Sequence, residues 1–189
     1  MAKSNDNYLT GKCLVSMPSM EDERFAGSLI YICSHTKDGA FGFVVNKRLE
    51  EVTFSDLAKE LSIDKIKPIN NFSIHHGGPL EKIRGFVLHS TDYVKNDTVV
   101  ISKDIAVSSS LDILTDIASG KGPKDNLIAL GYASWAPKQL EQEIISGIWL
   151  VADTSSDLMF KTKDEEKWQK AIEELGIDLS RISSQTGHA

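Results

Sequence analysis

The chain from Ser28 to Asn46 is apolar except for a polar turn near its centre. Alternating residues of Leu29–Cys33 would point to the two faces of a strand, and both faces are mostly apolar, which is typical of a strand covered on both sides. The turn at Asp38–Gly39 tolerates positive φ angles, and Phe41–Val45 follows as a second apolar run. Gly42 within that run indicates a bulge or a close backbone approach. The pattern predicts a β-hairpin.

Four later segments carry apolar residues at helical spacing, between recognisable start and stop signals. Thr53 and Asp56 resemble a capping box before the first segment, and Pro137 suits the first helical position of the third. Glycines end the last three segments. The apolar positions are Phe54, Leu57, Ala58 and Leu61; Leu111, Leu114, Ile117 and Ala118; Leu140, Ile144 and Ile145; and Trp168, Ala171, Ile172 and Leu175.

The remaining short apolar runs predict further strands, and they do not alternate regularly with the helices. A doubly wound parallel sheet is therefore not favoured, and the order predicts an α+β fold with a largely antiparallel sheet. No repeat or linker divides the chain, so we expect one domain over residues 1–189. The predicted strands are Leu14–Met17, Phe72–His75, Gly85–His89, Thr98–Ser102, Leu127–Ala133, Ile148–Ala152 and Leu158–Phe160.

Charge and cysteine content narrow the function classes. The 189 residues carry a net charge of -6, which opposes binding to phosphate backbones and argues against direct nucleic-acid binding. Two cysteines do not make a disulfide framework and indicate a reducing compartment. The N-terminus lacks the apolar stretch of a secretory signal, and no run approaches the ~18 apolar residues of a membrane span. We expect a cytoplasmic protein without membrane association.

Cys33 and His35 are candidate reactive residues, since strand alternation would place the thiol and the imidazole on the same side. A cysteine becomes nucleophilic when a nearby cation or hydrogen-bond donor stabilises its thiolate. Against this, Cys33 lies in an apolar run, where a free cysteine usually behaves as a small hydrophobe. We expect Cys33 to be a core residue first. The alternative is a thiol-dependent hydrolase or redox enzyme that uses Cys33 with His35 or His89.

The run His75-His76-Gly77-Gly78-Pro79 is a candidate anion site, because adjacent glycines let backbone N–H groups converge. A His-Gly-Gly string also resembles the oxyanion strand of lipase-like hydrolases, but the chain has no G-x-S-x-G nucleophile elbow. A tight turn between two strands is the simpler interpretation.

The five histidines raise the question of a metal site. His75 and His76 are neighbours, so on an extended backbone they would point to opposite faces. The chain contains no H-E-x-x-H and no paired C-x-x-C. We expect neither a metal site nor a cofactor.

Several of these stretches together resemble the motifs of the bacterial YqgE/AlgH family, in order and over nearly the whole chain. The departures include Ser134 and Lys138, which stand where the family commonly has glycine, and the apolar positions Cys13, Phe41 and Phe43. The matching stretches are LTGKCLVSMPSM, YICSHTKDGAFGFVVN, HHGGPLEKIRGFVLHS, SSSLDIL, GKGP, LGYASWAPKQLEQEI, WL and the closing GHA.

The resemblance implies a cytoplasmic bacterial protein whose branched, mostly antiparallel sheet curls into a pseudo-barrel, with about four helices packed outside. It implies no established activity. Members are often described as transcriptional regulators, but this sequence has no helix-turn-helix pattern and no basic stripe. An indirect route through a protein partner or a small ligand fits the sequence better.

We interpret the chain as a non-enzymatic regulatory or binding module, whose partner is an unidentified protein or a small anionic ligand. Arg84 would hold an anionic group, and the glycine turn would present N–H donors. Polar residues that interrupt apolar strands mark the expected surface. The candidate ligand-binding residues are Cys33, His35, Asn46, His76, Gly77, Gly78, Pro79, Arg84, His89 and Ser90.

Overall fold

The computed structural model describes residues 8–63 and 73–178. The first residue of the predicted strand Phe72–His75 lies outside these ranges, as does the GHA motif at the end of the family resemblance. The strands are β1 (Cys13–Ser16), β2 (Leu29–Thr36), β3 (Gly39–Val44), β4 (Ile74–His76), β5 (Leu80–Ser90), β6 (Val99–Val100), β7 (Ile105–Ser108), β8 (Asn126–Trp135) and β9 (Trp149–Ala152).

These strands form one sheet in the order β6-β7-β5-β8-β3-β2-β1-β9, and β4 lies beside β8 as a branch. Among the described residues every strand pair is antiparallel except β4 with β8. The sheet curls into a half-barrel. The predicted hairpin is present, since β2 pairs with β3 around a two-residue turn. The structure confirms the α+β class and the branched, curled, mostly antiparallel sheet.

The four predicted helices are present, and their bounds differ from the expected ones only at the ends. Thr53 caps the first helix, where its hydroxyl accepts from the Asp56 N–H and the Asp56 carboxylate accepts from the Thr53 N–H, as the capping box predicted. The third helix begins two residues after Pro137. The helices are α1 (Phe54–Glu60), α2 (Leu111–Ser119), α3 (Gln139–Ile145) and α4 (Asp164–Glu174).

One predicted strand is wrong. Leu158–Phe160 lies in a short π-helical segment, Asp157–Lys161, which leads into α4. Leu158 and Met159 are buried there. A short apolar run marks burial without distinguishing a strand from a helical turn, so periodicity could not decide this element.

The core lies on both faces of the curled sheet. One cluster contains Tyr31 and Phe43 and is covered by α4, and a second contains Ile30 and Trp135 and is covered by α3. A third cluster lies between the sheet and helices α1 and α2. Each fully buried large apolar side chain contributes about 1.5–3 kcal/mol to stability. Within residues 8–63 and 73–178, no helix has both the length and the apolar content to cross a membrane.

Candidate functional site

Cys33 and His35 lie on different faces of the sheet, so the expectation from strand alternation is wrong. The pairing of β2 with β3 shifts register between Ile32 and Ser34, which leaves Cys33 as the extra residue of a β-bulge. Gly42 lies at this bulge, and a Cβ there would be 2.4 Å from the Tyr31 carbonyl oxygen. The bulge breaks the alternation, because two successive residues oppose one on the partner strand.

The environment of Cys33 is that of a core residue. Its side chain belongs to the cluster under α4, and its Sγ lies 4.0 Å from the Tyr31 carbonyl oxygen. Burial raises the pKa of the Cys33 thiol well above its usual value, and the nearby Cys13 adds to the shift. Both cysteines are free and buried.

His35 is buried on the α3 side of the sheet. Its Nδ1 accepts a hydrogen bond from the Leu9 N–H at 3.1 Å, so the neutral ring carries its proton on Nε2. That nitrogen lies 3.2 Å from Oε1 of Glu141 on α3. The imidazole therefore joins the N-terminal segment to α3, and its ring nitrogens are engaged away from the thiol.

Asn46 and the His76–Pro79 turn form hydrogen bonds with the backbone where β4 branches from the sheet. Asn46 accepts from the Leu29 N–H at 2.8 Å and donates to the Gly27 carbonyl at 2.8 Å. The N–H of Gly77 donates to the Leu130 carbonyl, so it is not directed at a ligand.

Gly77 and Gly78 allow the turn to pass close to β8. A Cβ at Gly77 would be 2.4 Å from the Gly131 carbonyl oxygen, and one at Gly78 would be 2.1 Å from the carbonyl carbon of Tyr132. Both distances are shorter than any side-chain contact allows. The close approach explains why two glycines stand together here.

Arg84, His89 and Ser90 lie along β5 without converging on one point. Arg84 is exposed, pairs with Glu81 at 3.1 Å and covers the Phe86 ring. His89 is buried; its Nδ1 donates to the Ser90 carbonyl at 3.0 Å and its Nε2 accepts from the Ser108 hydroxyl at 3.1 Å. Burial lowers the pKa of His89, against the opposing effect of that backbone contact.

The ten predicted residues are thus spread over the core, the sheet branch and the length of β5. Ligand binding by these residues stays a prediction. Within the described ranges, no group of three or more histidine, cysteine, aspartate or glutamate side chains is placed to hold a metal ion. Pro79 alone of the ten lines a cleft beside α3.

This cleft has a volume of about 580 Å³ and opens on the α3 side of the sheet. Its walls come from the loop between β1 and β2, the end of β8, α3 and the start of β9. We call it the aromatic cleft. Its lining residues are Met17, Ser19, Met20, Glu21, Asp22, Arg24, Phe25, Pro79, Leu80, Ala133, Ser134, Trp135, Gln139, Glu143, Ser146, Gly147, Ile148 and Trp149.

Glu143 is the best-positioned polar side chain of the aromatic cleft. Its Oε2 accepts from the indole N–H of Trp135 and from that of Trp149, each at 2.8 Å. Its Oε1 accepts from the Gln139 amide at 2.9 Å. The two indole rings meet edge to face, with their centroids 6.2 Å apart. Three donors from three elements therefore hold one half-buried carboxylate in a fixed orientation.

The local fold explains this geometry. Gln139 and Glu143 are four residues apart on α3 and lie on one side of it, while Leu140 of the same helix packs into the core. Lys138, which precedes the helix, has a left-handed backbone with φ 66°. That conformation accounts for the glycine common in the family at this position.

A second, more polar pocket of about 410 Å³ lies at the start of α4. Lys167 is 2% exposed, and its ammonium donates to the Asp164 carboxylate and to the Val45 carbonyl, both at 2.8 Å. Nε2 of the buried His75 lies 3.0 Å from the same carboxylate oxygen, without the alignment of a hydrogen bond.

Opposing effects set the charges in this second pocket. Burial disfavours the charged form of Asp164, but His75 and Lys167 outweigh burial and lower the pKa of Asp164 to about 2. Burial lowers the pKa of Lys167, and Asp164 opposes that shift. The network neutralises its own charge and ties α4 to the sheet.

Trp135 and Trp149 are both buried, as expected for tryptophans with apolar neighbours in the sequence. Sequence reasoning did not identify Glu143, although the i, i+4 spacing from Gln139 was a usable signal. It also missed Lys167, four residues before Ala171 on the apolar stripe of α4. A lysine in such a stripe signals a buried partner.

Comparison with known proteins agrees with the family resemblance. Residues 13–180 match the model of a family described as AlgH-like. A UPF0301 protein of Jannaschia sp. (strain CCS1) is 46% identical over 183 residues, covering 96% of this chain and 95% of the relative. A UPF0301 protein of Rhodospirillum rubrum is 41% identical over 189 residues, covering 100% of this chain and 98% of the relative.

Two solved structures share the fold. The solution structure of the AlgH protein from Pseudomonas aeruginosa is 35% identical, with a TM-score of 0.78 and coverage of 100% of both chains. A crystal structure from Corynebacterium diphtheriae is 24% identical, with a TM-score of 0.69, covers 91% of this chain and 88% of its own, and supports the fold alone. This chain belongs to the AlgH-like family.

Proposed function

We propose that this chain is a non-enzymatic binding module that takes up a segment of a protein partner in its aromatic cleft. The observation that carries the proposal is the Glu143 carboxylate, which three N–H donors fix in an open cleft of about 580 Å³. Pockets of this size, mostly apolar with a few convergent polar groups, are typical binding sites. Unlike the predicted set, these groups face one common space.

The rim of the aromatic cleft favours a protein partner over a small metabolite. Leu80 and Ile148 line the cleft and are 41% and 37% exposed, and Ile145 on the neighbouring turn of α3 is 85% exposed. Exposed apolar side chains around a polar anchor resemble the composition of protein interfaces. A partner that extends beyond the cleft would cover them.

A module of this kind would act in regulation indirectly, through its partner and without reading DNA. The acidic net charge of -6 supports this part of the proposal. We place the protein in the cytoplasm as a single domain, and the two free thiols support a reducing compartment.

The small anionic ligand expected from Arg84 stays a separate prediction. In the aromatic cleft the fixed carboxylate of Glu143 would repel an anion. Arg84 itself is exposed and already paired with Glu81. We therefore propose the protein partner as the ligand of the cleft.

The thiol-dependent enzyme also stays a prediction, and the geometry offers it no support. Cys33 is buried with a raised pKa, and His35 and His89 are hydrogen-bonded to other groups. Alkylation of Cys33 in the folded protein below pH 7 would support the enzyme, whereas labelling only after unfolding would remove it.

The binding proposal can be tested with short blocked peptides. Tripeptides Leu-X-Leu, acetylated and amidated, with X lysine, trimethyllysine, arginine, glutamate or norleucine, would be titrated into ¹⁵N-labelled protein. We expect at least one peptide to shift the indole N–H signals of Trp135 and Trp149. Trp168 serves as the internal reference, because its indole donates to Ser16 outside the cleft. If no peptide shifts the two cleft signals, the proposal is wrong.

A further inference from the structure

We infer that the aromatic cleft recognises a lysine side chain of its partner, whose ammonium group binds the Glu143 carboxylate. This inference rests on the proposed function and names the group that the cleft selects. It follows from the charge of the cleft, from the free acceptor site on Glu143 and from the apolar lining.

Glu143 has no counter-charge within residues 8–63 and 73–178. Among the residues that the structure describes, no lysine, arginine or histidine forms an ion pair with it. Its three donors are neutral, two indoles and one amide. A neutral acceptor would suffice to satisfy those donors, so the formal charge is left for a cation from outside.

The other charged groups of the cleft do not compensate Glu143. Arg24 donates to both oxygens of Asp22, at 3.0 Å and 2.7 Å, so the two charges cancel each other. Glu21 adds a further negative charge to the lining. The lining residues therefore carry a net negative charge, which is complementary to a positively charged side chain.

The hydrogen bonds of Glu143 favour an ammonium over a guanidinium. A carboxylate has about four acceptor positions, two on each oxygen. The indoles occupy both positions of Oε2, and Gln139 occupies one position of Oε1. A bidentate guanidinium needs both oxygens, whereas an ammonium binds as a point charge to the one that remains. The hydroxyls of Ser19, Ser134 and Ser146 line the same cleft as further acceptors.

The apolar lining suits the four-carbon stem of lysine. Met17, Met20 and Phe25 supply flexible thioether and aromatic surface in the same cleft as the carboxylate. Trp135 and Trp149 are only 6% and 3% exposed, so their ring faces cannot form a cage around a bare cation. Recognition thus depends on the N–H groups of the ammonium, and trimethylation of the lysine removes them.

The peptide series on the unmodified protein tests the inference directly. We expect Leu-Lys-Leu to bind at least about tenfold more tightly than its norleucine counterpart, because a charge-assisted hydrogen bond is lost without the ammonium. The arginine and trimethyllysine peptides should bind more weakly than the lysine peptide, and the glutamate peptide should bind most weakly. Titration with hexylamine, a free amine, tests whether the cation alone is enough for binding or whether a peptide is required.

Two variants test whether Glu143 is the group that causes the preference for lysine. Glu143→Gln should remove the preference for lysine over norleucine. Glu173→Gln should retain it, and it is a matched control because Glu173 accepts from Gln169 in the same i, i+4 arrangement on the exposed face of α4. Thermal unfolding of each variant checks that it is folded, and the peptide series does not depend on either one.

The outcomes separate the inference from the proposed function. Equal binding of the lysine and norleucine peptides at the cleft overturns the lysine inference and leaves the binding module intact. A preference that survives Glu143→Gln in the folded variant also overturns it. If hexylamine binds as tightly as the lysine peptide, the cleft recognises a free amine and the proposed protein partner is wrong. Absence of any shift at the two cleft indoles overturns both proposals.

Discussion

Glu143 and Asp164 are both partly buried carboxylates that a helix presents to the sheet, yet their charges are balanced differently. Asp164 receives an ammonium from Lys167 and the close approach of His75. Among the described residues, Glu143 receives only neutral N–H donors. Within that part of the chain, one network is complete and the other lacks a cation. The comparison separates a carboxylate that holds the fold together from one that is available to a partner.

Removing the internal cation should have the largest effect. Lys167→Met leaves the Asp164 charge and the Val45 carbonyl without their donor, and we expect the free energy of unfolding to fall by about 3–5 kcal/mol. Urea unfolding measures this loss. The double variant Lys167→Met with Asp164→Asn should recover part of it, and a double variant no better than the single would contradict the paired-charge account.

Lowering the pH should act on the same network. Asp164 has a pKa of about 2 in the folded chain, below its ordinary 3.8, so its stabilisation is present above pH 4 and is lost as the pH falls towards 2. The loss should amount to about 2 kcal/mol. Asp164→Asn should lack this component, as measured by urea unfolding at each pH. Parallel stability curves for the two proteins would show that Asp164 is not stabilised by its neighbours.

Neutralising the Glu143 carboxylate should lower the free energy of unfolding by less than the loss of the Lys167 ammonium does. Glu143→Gln keeps the shape of the side chain and one acceptor oxygen, but weakens the hydrogen bonds of the two indoles and removes the oxygen that accepts from Gln139. We expect a loss of about 1–2 kcal/mol, since charge-assisted hydrogen bonds become neutral ones. Thermal or urea unfolding gives the value. A loss as large as that of Lys167→Met would make Glu143 a structural residue of the same kind as Asp164.

The same change at the exposed Glu173 should have almost no effect on the free energy of unfolding. Glu173→Gln changes the same i, i+4 pair with Gln169 where no indole is involved. We expect a change below about 0.5 kcal/mol, because such pairs on a helix surface contribute little. An effect equal to that of Glu143→Gln would assign the cost to the helix pair and not to the indoles.

The elements of the fold were largely predictable from local pattern. The hairpin at Asp38–Gly39 and the capping box at Thr53 need only neighbours in sequence to form, and both are present. The run Leu158–Phe160 was assigned wrongly because three apolar residues carry no period. Local signals therefore fail where a segment is too short to show its repeat.

The candidate site was predicted less well. Cys33 and His35 were expected together, but one extra residue in β2 turns them to opposite faces. The glycine pair is expected to present N–H donors to an anion, and this stays a prediction; the structure shows that the pair lets the chain approach β8. The prediction grouped polar residues that are close in sequence, whereas the cleft combines residues from three separate elements, β8, α3 and β9.

The sequence by itself determined the class of fold, the acidic charge and the burial of the two tryptophans, because these follow from composition and short-range periodicity. Only the tertiary structure decided which carboxylate meets a cation. Lys167 reaches Asp164 within one turn of α4, but its burial and its contact with Val45 depend on the docking of the helix on the sheet. Glu143 meets two indoles from separate strands, and its lack of a cation among the described residues is a property of that assembly and not of any one segment.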